Sequence, residues 1–190
     1  AFLEPLENIE IDTKALAPSP GFFAGYRLPE PGSSDFYSLA ITEYALLQGK
    51  GSKLYKRLVQ RERLASYLSG GIDKRRDRSV LKIMVLNNSE VIRERTQRAL
   101  FGELTKFRTS LLSDKEVQRA KNMFRRDYIQ RYATTTARAI FLAEYFQIFG
   151  TVEGIDTELN KYMAVTPSQL MQIGGRYLTR NRIVLNIQIR

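Results

Sequence analysis

Neither cysteine nor histidine occurs anywhere in this chain of 190 residues. A fold of this sequence therefore has no disulfide to staple it and no structural zinc of the Cys/His kind. A buried apolar core must hold it alone, and a chain of this length can bury roughly 70% of the surface its unfolded form exposes. The same two absences remove whole classes of chemistry. A His-bearing catalytic zinc site cannot be built, nor can a Ser-His-Asp or Cys-His nucleophile system. With 43% hydrophobic and 26% charged residues, the composition is that of a globular domain, not of a disordered or fibrous chain.

The net charge of +10 is unevenly placed: residues 51–131 hold 21 of the 30 Lys and Arg but 9 of the 20 Asp and Glu. A basic region of this kind suits nucleic acid, anionic lipid or an acidic protein, and equally a set of solvated helix faces. The cluster KRRDR at residues 74–78 has few interleaved aromatics and no RRM, KH or zinc-finger signature, so no nucleic-acid partner is expected. No apolar stretch approaches the roughly 20 residues of a membrane span. The N-terminus, AFLEPLENIEID, is acidic and lacks the basic n-region of a signal peptide. It also lacks an initiator Met, so a processed product or a piece of something longer is expected.

Patterning gives the element order. Residues 1–20, acidic and then Pro-rich, read as a linker or N-terminal arm, and residues 21–190 as a single domain. GFFAGYRL (21–28) reads as a strand ending at Pro29. Ser34 or Asp35 can cap a helix that carries Phe36, Leu39, Ala40, Tyr44 and Leu47 at helical spacing. Gly49-Lys50-Gly51-Ser52 lacks the first glycine and spacer of a phosphate loop, and is expected to be a helix–helix turn. A second helix follows, with Leu54, Tyr55, Leu58 and Val59 on one stripe. The segments 64–72 and 79–86 read as a hairpin around the charged turn DKRRDR. Helices are expected over 90–109, over 114–132 behind a Ser113/Glu116 capping box, and over 137–149. The last of these is apolar nearly all round and is expected to be buried, with Gly150 ending it. A short helix near 152–163 and another opened by Thr166, Pro167 and Gln169 precede a closing strand at 182–189. The order predicts an α+β, two-layer fold: a mainly antiparallel sheet with helices packed on one face.

Carboxylates are the first candidates for chemistry in a chain without His. Asp114/Glu116 and Glu90/Glu94 sit near helix N-termini, where they complement the helix dipole. Glu144 lies within the apolar helix and is expected to be a buried acid held by Arg138, Tyr145 or a backbone amide.

Several segments carry a resemblance in their order and spacing. Residues 22–66, FFAGYRLPEPGSSDFYSLAITEYALLQGKGSKLYKRLVQRERLAS, join a Gly-Tyr-Arg strand running into Pro, an Asp-led helix, a Gly-Lys-Gly-Ser turn and an LY-x-x-L run. TTTARAIFLAEYFQIFG (134–150) and KYMAVTPSQLMQIGGRYLTRNRIVLNI (161–187) follow. Together they resemble the C-terminal, non-zinc domain of the insulinase/pitrilysin-like zinc metallopeptidases, which include processing peptidases. The resemblance implies a domain that helps to form a peptide-binding chamber and pairs with a zinc-bearing H-x-x-E-H domain of the same or another chain. It implies no catalytic residue and no metal or cofactor in this chain, zinc being expected in the partner domain. Alone, the chain is expected to be inactive. The partners implied are that domain and a peptide substrate, with a homodimer as a further alternative. The runner-up reading is a structural, assembly or binding module of the same fold with no peptidase role.

Many domains of that family supply an Arg and a Tyr, seven residues apart, to the substrate. Ungapped alignment through LYKRL and ERLAS puts these positions at Val59 and Ser66, both departures from the pattern. Tyr67 stands one residue away, with Arg57, Arg61 and Arg63 close by. The substrate-binding candidates are therefore Arg57, Arg61, Arg63, Ser66 and Tyr67. One residue on a strand changes the face, so Tyr67 is expected to point away from the side the family's Tyr would take.

Overall fold

A computed structural model of the chain describes residues 9–15, 19–89 and 91–189. The strands β1 (Ile9–Ala15), β2 (Gly21–Arg27), β3 (Ala65–Asp73), β4 (Val80–Asn87) and β5 (Ile183–Ile189) form one five-stranded sheet in the order β1-β5-β2-β4-β3. The pairs β2/β4, β2/β5 and β3/β4 are antiparallel, and β1/β5 is parallel. The helices are α1 (Ser34–Leu46), α2 (Arg93–Thr109), α3 (Asp114–Gln130), α4 (Thr135–Phe149), α5 (Ile155–Met163) and α6 (Pro167–Tyr177). A π-helix, Tyr55–Arg61, stands where the second helix is expected. The fold is the α+β arrangement read from the sequence, a mainly antiparallel sheet with its core on one face.

The core lies between that face and α1. Phe22, Ala24 and Tyr26 of β2, Leu81, Ile83 and Val85 of β4 and Val184 of β5 all point into it and are at most 2% exposed. α1 is buried almost all round, from Phe36 to Leu46, because α3, α5 and α6 pack on it from the side away from the sheet. Its N-cap is Ser33, not Ser34 or Asp35: the Ser33 hydroxyl accepts from the Phe36 N–H at 3.3 Å. Asp35 instead holds Arg176 and the Tyr177 hydroxyl, tying α1 to α6. Both expected capping boxes form, Ser113 with Glu116 and Thr166 with Gln169, and the latter has Pro167 in the first turn. Gly49, at φ +74°, sits in the turn that ends α1, and Gly150, at φ +72°, ends α4 in the left-handed region.

Three expectations need correction. Within residues 1–20, read as a linker or arm, Ile9–Ala15 form a strand, while 1–8 and 16–18 lie outside the described residues. The partner of that strand, β5, is more than 170 residues away in sequence, so no local turn announces the pair. Glu90 also lies outside the described residues, and α2 begins at Arg93. The largest correction concerns α4, which is not buried. Phe141 and Tyr145 alone of its side chains are buried, against Tyr128 and Tyr132 of the α3 end, while Ile140 and Phe146 are more than half exposed. Apolarity on every side gives a helix no preferred face, and here the helix meets the rest of the domain along one aromatic strip. Glu144 is accordingly exposed and pairs with Arg131, not with Arg138 or Tyr145.

Candidate functional site

The site builds from the alternation of the strands. Pairing aligns Ile11, Leu185, Phe23, Met84 and Ser69 in one row across all five strands, and Ile9, Ile183, Gly25, Lys82 and Gly71 in the next. Both rows point away from the helices. An antiparallel sheet with one free face ordinarily turns polar residues outward. Here Ile9, Ile11, Phe23, Ile183 and Tyr67 are between 36% and 49% exposed on that outer side. β1 makes the choice plainest. Its sequence IEIDTKA alternates apolar and charged, and the apolar set faces outward while Glu10 and Asp12 face the helix side.

At one end of this face β3 starts with an irregularity. Ala65 pairs with Asn87 and Tyr67 with Leu86, so Ser66 is an extra residue, a β-bulge. The Ser66 hydroxyl donates to the carbonyls of Leu86 and Asn87 at 3.3 and 3.2 Å, which fastens the bulge to β4. The extra residue shifts the alternation by one place. Ala65 faces the core, and Tyr67 falls in the outer row with Leu86, Gly21 and Ile187. The expectation that Tyr67 points away from the family's Tyr side rested on unbroken alternation, which the bulge interrupts. Ser66 and Tyr67 share an open cleft of about 740 Å³ with Met84, Leu86, Asn87 and Asn88.

The three arginines are not equivalent. Arg57, on the π-helix, donates to Glu62 at 2.9 Å and Glu103 at 3.0 Å, and is committed to packing the π-helix on α2. Arg61 and Arg63 are exposed. Arg63 takes φ +50°, a left-handed conformation rare in residues with a Cβ. Its carbonyl accepts from the Asn88 side-chain amide, which holds the chain as it enters β3. Val59 is half-buried and packs against the core.

β3 is an edge strand, and half of its free edge is already occupied. The Gly70 carbonyl accepts from the Gln48 amide, and the Ile72 N–H donates to Glu43, both at 3.2 Å. Burial pushes the Glu43 carboxyl above its ordinary range, against the opposing pull of these bonds. The stretch at Leu68, beside Tyr67, is not covered by α1 in this way. An exposed edge of this kind can take up an extended peptide through main-chain hydrogen bonds. Sequence reasoning singled out Ser66 and Tyr67 but missed the bulge between β3 and β4 and the edge-capping pair Glu43 and Gln48. The outward Ile9 and Ile11 were readable from their period of two.

Among the described residues no group of three or more acidic side chains gathers where a metal could sit, and the chain has no His. These residues do not fit a zinc ion. No helix is long and apolar enough to cross a membrane.

Comparison with known proteins gives a consistent result. The family described as the peptidase M16 inactive domain matches residues 5–124. The zinc protease PqqE of Helicobacter pylori is 24% identical over 153 residues, covering 80% of this chain and 34% of its own length. The crystal structure of a protease from Helicobacter pylori superposes with a TM-score of 0.87 at 19% identity, over 97% of this chain and 45% of that one. A peptidase M16 inactive domain from Pseudomonas fluorescens superposes at 0.81 and 11% identity, over 97% of this chain and 44% of that one. The chain thus spans about a third of the curated relative and under half of these two structures.

Proposed function

The chain belongs to the peptidase M16 inactive-domain family, and on that premise we propose that it is the non-catalytic domain of a zinc metalloendopeptidase. In this reading its outer sheet face pairs with a zinc-bearing H-x-x-E-H domain and forms one wall of a peptide-binding chamber. The observation that carries the reading is the outward direction of Ile9, Ile11, Phe23 and Ile183 in β1, β2 and β5, which stay 36–48% exposed although Leu86 and Ile187, farther along the same face, are buried. Each strand spends its alternation on a second apolar surface, and an apolar surface of that kind marks an interaction site. Support also comes from the relatives, which are longer than this chain and of which one is named a zinc protease.

Within the chamber Tyr67 would face the peptide from the bulge, with Arg61 at the end of the π-helix and Arg63 just before the same strand. The main chain near Leu68 offers an edge along which an extended peptide can lie. The chemistry belongs to the partner: zinc held by two His with a Glu that activates water is supplied there. This chain binds and orients.

The test is reconstitution. The purified chain, mixed with an H-x-x-E-H domain from the same genome, is expected to form a stable complex and to raise peptidase activity above that of either part. Phe23→Lys, which puts a charge at the centre of the outer face, is expected to weaken the complex at least tenfold. Association without any peptidase activity would favour an assembly module, and metal-dependent cleavage by the chain alone would contradict the reading.

A further inference from the structure

A second cavity lies on the helical side of the molecule, away from the outer sheet face. Its volume is about 720 Å³, within the roughly 300–1,000 Å³ of small-molecule sites. The turn between β3 and β4, α1, α3, α4 and α5 line it. Its walls are largely aromatic, with Tyr44, Phe124, Tyr128, Phe141, Tyr145 and Tyr162 among them. Phe124 links the rings in two directions, to Tyr162 at 4.3 Å and to Tyr128 at 6.0 Å between centroids. Tyr128 in turn reaches Phe141 of α4 at 5.3 Å.

Charge around the cavity is sorted by depth. Lys74, Arg75 and Arg76, from the turn between the strands, are exposed, and Arg131 is half-buried. Arg75 pairs with Asp73 at 3.0 Å, and Arg131 with Glu144. Glu43 accepts from Gln48 and the Ile72 N–H, and Asp127 pairs with Arg126 and accepts from the Tyr44 hydroxyl. The buried charge among the lining residues is Glu158 of α5, 3% exposed. Its Oε2 pairs with Lys161 at 3.1 Å, while its Oε1 is buried without a hydrogen-bond partner. A buried carboxylate left half-satisfied carries a cost that a cation brought close to it offsets.

The rings carry the mark of that negative charge. Burial pushes the Tyr145 and Tyr162 hydroxyls above their ordinary range, and the charge of Glu158 pushes them further. Around this region three cations of the chain already rest on ring faces. Lys74 stands 5.7 Å from the Phe36 centroid, Lys161 5.4 Å from that of Tyr37 and Arg131 4.5 Å from that of Phe141. Among the described residues no cation lies over Tyr128, Tyr145 or Tyr162, the rings closest in character to an unfilled cage.

We propose that this cavity binds an organic ammonium, with the cation among the rings of Tyr128, Tyr145 and Tyr162 beside Glu158 and its apolar arm against Phe124 and Phe141. Two sources share that chemistry: a free arylalkylamine, and the side chain of a lysine in a peptide. The cavity shares no residue with the cleft at Ser66 and Tyr67, so this site and the peptide-facing surface proposed above can fail separately.

The experiment is titration calorimetry of the chain with phenethylamine, phenethyl alcohol and hydrocinnamate, and with Nα-acetyl-lysine methylamide. Phenethylamine is expected to bind about tenfold more tightly than the alcohol, and hydrocinnamate more weakly than either. Tighter binding of phenethylamine than of the lysine derivative assigns the free amine, and the reverse order assigns the lysine side chain. Glu158→Gln is expected to weaken amine binding about tenfold and Tyr145→Leu a few-fold, whereas Lys74→Met, which removes a cation of the rim, is expected not to weaken it. A second readout needs no variant: in proton NMR the methylene beside the nitrogen should shift upfield on binding, because it lies over ring faces. Equal binding of amine and alcohol, tighter binding of hydrocinnamate, or unchanged binding by a folded Glu158→Gln variant would each overturn the proposal. So would weaker binding by Lys74→Met, a methylene that does not shift, or the absence of binding by both amines.

Discussion

The two faces of the sheet are made of similar residues and have opposite fates. On the inner face Phe22 and Ile83 are fully buried beneath α1 and its neighbours. On the outer face Phe23, the next residue along β2, is 36% exposed, and Ile11 is 48% exposed. Adjacent phenylalanines of one strand thus serve different purposes. The inner one closes a core that the chain completes by itself. The outer one belongs to a surface that the described chain leaves bare. Sheets apolar on both sides are usually those covered on both sides. On the reading proposed above, the outer face is one half of a second interface, beside a core that the chain completes by itself.

The comparison can be broken most strongly from the inside. Phe22→Ala is expected to cost about 3–5 kcal/mol in chemical denaturation, because its ring packs against Phe101 of α2 and leaves a cavity. A loss well under 1 kcal/mol would mean that the inner face is not the core. Next comes the helical layer that covers it. Thr166→Ala removes the cap of α6 and is expected to cost about 1 kcal/mol by the same measurement. On the outer side Ile11→Thr keeps the β-branch and is expected to change the stability of the isolated chain by no more than about 0.5 kcal/mol. A large loss there would show that the face is already packed within the chain. The smallest structural effect is expected from deleting Ser66. The bulge disappears, yet Ala65 still faces the core and Tyr67 still faces outward, so nitration of Tyr67 should proceed at an unchanged rate. A protected Tyr67 would show that its outward face depends on the bulge and not on the register with Leu86 alone.

The parts of the fold legible in the sequence were those fixed by neighbours along the chain. The capping boxes at Ser113 and Thr166, the glycine stop at Gly150 and the hairpin around residues 73–78 are short-range patterns, and each formed. What escaped depends on distant partners. β1 is two isoleucines in an acidic stretch, and only its pairing with the far end of the chain makes it a strand. α4 looked buried because apolarity measures a need for cover, not the presence of it. The candidate site shows both sides. Ser66 and Tyr67 were singled out by alignment, but an extra residue in a strand leaves no mark in composition or period, so the bulge between them was not legible.

The most direct measurement is hydroxyl-radical footprinting of the chain alone and in complex with a zinc-bearing H-x-x-E-H domain, read by mass spectrometry at Phe23, Met84 and Tyr67. The account predicts that all three side chains are oxidised in the free chain and that Phe23 and Met84 are strongly protected in the complex. A stable complex in which Phe23 and Met84 react as fast as before would contradict it, because the bare face of the sheet would then not be the surface that the partner covers.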